Sequence, residues 1–82
     1  MADMIMIKSF AFTSPASVPA GSTVEVMNMD SEAHTVTANS GGAFNVTIPP
    51  GKTVTFTAPS KPGTYAYHCA YHSNMHGTLR VS

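Results

Sequence analysis

A single cysteine in 82 residues leaves no partner for an internal disulfide. A chain this short buries only about 60–65% of its unfolded surface, so stability has to draw on a bound ion, a partner or well-closed sheets as well as on packing. Charge is scarce too. Charged residues make up 10% of the sequence and the formal net charge is zero, so no basic stripe neutralises phosphates and no polybasic cluster meets anionic lipid. Nucleic acid and membrane surfaces are thereby excluded as expected partners. Apolar runs such as Met4 to Ile7 fall far below the roughly 18 residues that suggest a membrane span. No basic segment followed by an apolar one leads the chain, so the compartment is not readable from its N-terminus.

Helical periodicity is absent as well: nowhere does a 3.6-residue apolar repeat persist. What is present is a series of short alternating runs rich in β-branched and aromatic residues. These predict strands near Met4 to Ile7, Phe10 to Thr13, Thr23 to Met29, His34 to Ala38, Phe44 to Ile48, Thr53 to Thr57, Gly63 to Cys69 and Gly77 to Val81. Pro15, Pro19 with Gly21, Asn39 to Gly42, Pro49-Pro50-Gly51 and Pro59 to Gly63 supply the turns between them. The expected fold is all-β, a Greek-key β-sandwich of about eight strands, formed as one domain over residues 1–82.

Two alternations assign faces. In Thr53 to Thr57, Val54 and Phe56 point one way and three threonines the other, which gives that strand one wet face. In Gly63 to Cys69, the residues Tyr65, Tyr67 and Cys69 share the core side, and His68 is turned outward. Both tyrosines are expected to pack with their hydroxyls bonded, Tyr65 as a tyrosine corner.

Soft donors gather at the end of that strand. The segment from Cys69 to Met75 reads C-x-x-H-x-x-M, which places a thiolate, the imidazole of His72 and the thioether of Met75 at intervals of three residues. His34 opens the run His34-Thr35-Val36-Thr37-Ala38, and a strand beside the Cys69 strand can bring it in as a further donor. A trigonal His₂Cys site with a long axial methionine suits copper in a one-electron couple. His76 is the neighbour that competes for the axial position. The three-residue step favours Met75, because His76 stands directly before Gly77, where the last strand is expected to begin. His72, in the loop, is the histidine expected nearer solvent.

These residues resemble the cupredoxin family, and the short C-x-x-H-x-x-M loop resembles that of its amicyanin subgroup, whereas plastocyanin-like loops hold two more residues before the methionine. The likeness extends over Asn28-Met29-Asp30 ahead of the His-Thr-Val run, the Pro50-Gly51-Lys52-Thr53 turn, the approach Pro62 to Cys69, and Met75-His76-Gly77. It implies one type 1 copper per chain, with His34, Cys69 and His72 as equatorial ligands and Met75 as the axial one. Many members follow the first histidine with asparagine, which braces the cysteine loop. Here Thr35 stands instead, and its hydroxyl can make one such hydrogen bond.

The function expected from this likeness is a non-enzymatic electron shuttle, a monomer that docks transiently with a redox protein donor and acceptor in the periplasm or outside the cell. Electrons would leave through the edge of His72, within an apolar patch expected from Pro15 to Val18, Met29, Ala70, Tyr71 and Met75. The methionine and histidine content raises an alternative of copper storage, delivery or resistance. Catalysis, as a zinc hydrolase or a multicopper oxidase fragment, lacks a second histidine cluster and a carboxylate placed as a general base. Met4, Met6, Met27 and Met29 are read as packing residues, Asp30 and Glu32 as solvated turn residues, and His68 and His76 as solvent-facing side chains that bind nothing.

Overall fold

In the computed structural model, which describes residues 3–39 and 41–82, eight strands follow one another along the chain. They are β1 (Asp3–Lys8), β2 (Ala11–Thr13), β3 (Thr23–Asn28), β4 (His34–Ala38), β5 (Asn45–Ile48), β6 (Thr53–Thr57), β7 (Gly63–Cys69) and β8 (His72–Val81). Two four-stranded sheets result, ordered β2-β1-β3-β6 and β5-β4-β7-β8. The chain passes between the sheets after β3, β5 and β6, so the all-β Greek-key sandwich is as expected.

Alternation decides what lies between the sheets. Ile5 and Ile7 of β1, Val24 and Val26 of β3, Ile48 of β5 and Leu79 of β8 are all fully buried, while their chain neighbours face outward or sit at the margin; in β4, Val36 is fully buried and its neighbour Thr35 is buried as well. The outer residues of β1 include Met4 and Met6. Together with Met27, which pairs with Met6 across the parallel β1–β3 ladder, they are half-buried and lie on the outside of the sheet instead of in the core. Met29 is exposed.

The strand β1 runs one residue further at each end than expected and β5 starts one residue later, and the boundaries of β2, β3 and β8 differ for local reasons. Phe10 belongs to the two-residue turn between β1 and β2, where Ser9 (φ 52°) and Phe10 (φ 59°) both adopt the left-handed region. A hairpin of this kind normally recruits Asn-Gly. The strand β3 stops at Asn28, whose backbone N–H still donates to the Lys52 carbonyl while its buried side-chain amide reaches the carbonyls of Glu32, Ile48 and Pro49. The last strand starts five residues earlier than expected, because Cys69 re-pairs with His72 after an irregularity that follows the His68–His76 pair.

On β7 the inward residues carry the centre of the core. Tyr65 donates to the Lys61 carbonyl, the tyrosine-corner contact expected of it. Tyr67 is fully buried, shares a hydrogen bond with Ser14, and meets Phe12 edge-on at 4.9 Å between ring centroids. Burial pushes the Tyr67 phenol up, an effect partly offset by the Ser14 hydroxyl. Directly opposite Tyr67 stands Gly77. A Cβ there would lie 2.5 Å from the tyrosine ring, so the bare backbone is what admits the side chain. We therefore expect Gly77→Ala to destabilise the fold by about 2 kcal/mol, within the usual range for overpacking a core. Urea unfolding of the variant, compared with Thr78→Ala on the exposed face, measures it.

Candidate metal centre

Adjacent strands bring the donors together. β4 and β7 pair antiparallel, so His34 at the start of β4 and Cys69 at the end of β7 reach one end of the sandwich. The short Ala70-Tyr71 reversal returns the chain to His72, whose backbone pairs with Cys69. Cys69 Sγ lies 3.7 Å from His34 Nδ1 and 3.6 Å from His72 Nδ1. One donor atom from each of the three residues falls within 4.8 Å of the others.

This spacing fits a bound metal. Bonds of roughly 2.0–2.1 Å to nitrogen and about 2.3 Å to sulfur, opened to about 120°, would separate N from S by roughly 3.7 Å. The thiol and two imidazoles form a soft, borderline set of donors. Both histidines present Nδ1 and keep Nε2 for other partners. His34 is fully buried and His72 is 21% exposed, so the loop histidine is the one nearer solvent. Met75 is buried on the inward face of β8, three residues beyond His72, while His76 is exposed on the outward face. The pleat that separates these two neighbours keeps Met75 on the triad's side of the sheet and turns His76 away.

The Cys69 sulfur and its loop are braced from β4. The Thr35 backbone N–H donates to Cys69 Sγ at 3.4 Å, and the Thr35 hydroxyl accepts from the Ala70 N–H at 2.7 Å. Thr37 Oγ1 lies 3.0 Å from both Thr35 Oγ1 and Asn45 Oδ1. With one proton per hydroxyl, the order that satisfies every group runs Ala70 to Thr35 to Thr37 to Asn45. Threonine thus makes the single bracing bond expected of it.

Two residues that the sequence reading placed in solvent act here. Asp30 is only 11% exposed, and its carboxylate contacts His34 Nε2 at 3.0 Å while accepting from the backbone N–H groups of Ser9 and Phe10 at 2.8 and 2.9 Å. Partial burial works to raise its pKa, but the Phe10 and Ser9 amides and His34 outweigh that effect and hold the carboxyl below its ordinary 3.8. The same two amides belong to the left-handed turn, so an anion in this small nest offsets a conformation that costs about 1–3 kcal/mol per residue. Glu32 is exposed, yet its Oε1 comes within 3.5 Å of His72 Nε2.

Phe10 is the further participant. Its ring stands edge-on to both imidazoles, with centroids 5.1 Å from His34 and 4.9 Å from His72, and it shields the donors from water. The expected apolar patch is accordingly redrawn. Val18 is fully buried and bridges to Val81, at the end of β8 away from His72, and Met75 is buried. Among the described residues, the large apolar side chains exposed are Phe10, Met29 and Tyr71.

We expect Asp30→Asn to lower stability by about 2 kcal/mol, because an amide offers one acceptor where two backbone donors need a charged one. Thermal unfolding of the metal-free protein checks this, and a variant as stable as the parent would remove the nest from the account.

A family profile described as a cupredoxin-like domain matches residues 5–81. Among solved structures, a proline-to-glycine mutant of amicyanin in its reduced Cu(I) form at pH 4 superposes with a TM-score of 0.82 at 26% identity, covering 99% of this chain and 82% of that one. The oxidised state of a proline-to-alanine mutant of amicyanin matches with a TM-score of 0.82 at 25% identity, over 99% of this chain and 82% of that one. No curated protein matches the sequence significantly.

Proposed function

The chain belongs to the cupredoxin family, and from that premise we propose that it carries one copper ion and passes single electrons between redox proteins. His34, Cys69 and His72 are the strong ligands, and Met75 is the weak axial one. The observation that carries this reading is the triad itself: a thiol and two Nδ1 atoms at 3.6–3.7 Å, held by the ends of paired strands. Copper in such a set supplies a one-electron couple with little change of geometry.

The protein's own residues do the rest. Strand pairing and the Thr35–Ala70 bond fix the donors before any ion arrives, which is how a site is kept from relaxing toward either oxidation state's preferred shape. The Thr35 N–H on Cys69 Sγ withdraws density from the sulfur. Asp30 orients His34 and makes its ring a better donor. Phe10 excludes water from the donors, and His72 offers the accessible edge. Phe10, Tyr71 and Met29 form an apolar docking surface at this end, suited to brief contact with a redox partner at the small end of interface sizes. A periplasmic or extracellular location accords with this role. No helix is long and apolar enough to cross a membrane among the described residues.

The assignment is tested by adding Cu(II) to the metal-free protein. Intense visible absorption should develop, and Cys69→Ser should abolish it, since the colour needs a thiolate-to-copper charge transfer; a serine variant that stays blue would sink the reading. Met75→Leu should keep copper bound but raise the reduction potential, whereas His76→Ala should leave spectrum and potential nearly unchanged. Bleaching by His76→Ala alone would move the axial role away from Met75. Asp30→Asn should raise the potential, read by redox titration, because it takes electron density from His34.

A further inference from the structure

β7 turns Cys69 into the sandwich and its neighbour His68 out of it. On the outer face His68 stands directly across from His76 of β8, the two being register partners in an antiparallel ladder. Residues so paired hold their Cβ atoms about 4.5–5.5 Å apart, close enough for two imidazoles to aim at a common point. The orientation of one ring is already set. His68 Nδ1 lies 2.7 Å from the side-chain oxygen of Asn39. An amide oxygen only accepts, so Nδ1 carries the proton and Nε2 keeps its lone pair.

That arrangement has the form of a metal-ligating histidine, whose second ring nitrogen donates to a fixed oxygen and thereby sets the tautomer. Asn39 is itself held, its backbone N–H donating to the Ala66 carbonyl at 2.9 Å. His76 is exposed and His68 half-buried, so water has access to complete a coordination sphere.

We propose that His68 and His76 form a second metal site, on the outer face of the sheet, that chelates a borderline divalent transition-metal ion such as Ni(II), Zn(II) or Cu(II). Two neutral imidazoles favour these ions over hard cations, which take oxygen ligands. The ladder pre-organises the pair, so little ordering is lost on binding. This site does not share its ligands with the buried triad, from which the sheet separates it.

The test uses the copper-loaded protein and Ni(II) as the probe, followed by calorimetry and by NMR of the reduced form. One equivalent of Ni(II) should bind, broaden the His68 and His76 resonances and leave the visible spectrum of the oxidised protein unchanged. His76→Ala and His68→Gln should each weaken binding by about 10-fold or more, and Asn39→Ala, which removes only the orienting oxygen, by about 10-fold. Retained visible absorption in each variant shows that the fold and the triad survive. No Ni(II) uptake by the parent would overturn the proposal. So would Ni(II) binding that is unchanged in His76→Ala, or broadening confined to either histidine alone, since chelation requires both.

Discussion

The two-residue repeat of β7 is the constraint on which the rest of this protein depends. Inward, it sets Tyr65 to close the Lys61 turn, Tyr67 to fill the centre against Gly77, and Cys69 to join His34 and His72. Outward, it sets His68 opposite His76. A slip of one residue would exchange these faces, exposing the tyrosines and the thiol and burying an imidazole. Such a slip is opposed by the fit of Tyr67 over a residue without a Cβ, so the packing of one aromatic ring and the placing of the thiol two residues later have the same physical cause.

A second economy appears at the site end. The Asp30 carboxylate is shared among a strained turn and a buried histidine, so the group that stabilises the fold also positions the donor ring. The turn it holds carries Phe10 rather than the glycine its backbone would favour, and Phe10 is the residue that lies across both imidazoles. Strain at this position is thus tied to shielding of the site. Asn28 anchors the same region from beneath, tying the chain between β3 and β4, through the Glu32 carbonyl, to the carbonyls of Ile48 and Pro49 at the end of β5.

Charge is distributed with similar thrift. With so few ionisable side chains, two of the four acidic residues approach the free nitrogens of the two triad histidines, Asp30 from a nearly buried position and Glu32 from solvent. Their consequences differ accordingly. The first bond is little screened by water and orients a ring; the second is longer, exposed and weak, and serves mainly to place one negative charge beside the exposed edge of His72.

Strand identities, the inward and outward faces of β6 and β7, the tyrosine corner and the gathering of Cys69 with His72 were legible in the sequence, because each follows from short-range periodicity or spacing that the backbone enforces locally. His34 was legible only through its resemblance to a known pattern, since its approach to Cys69 depends on β4 pairing with β7. The roles of Phe10 and Asp30 were not legible. A Ser-Phe turn carries no signal for the left-handed region, and an acid in a polar stretch looks the same in sequence whether it meets water or two backbone amides. Nor does sequence show that His68 and His76, eight positions apart, face one another: that is decided by the register of β7 on β8. Local chemistry was therefore determined by the sequence itself, whereas which groups touch across the two sheets was decided by tertiary structure, because register, strand order and the shape left by neighbouring side chains exist only once the chain has closed.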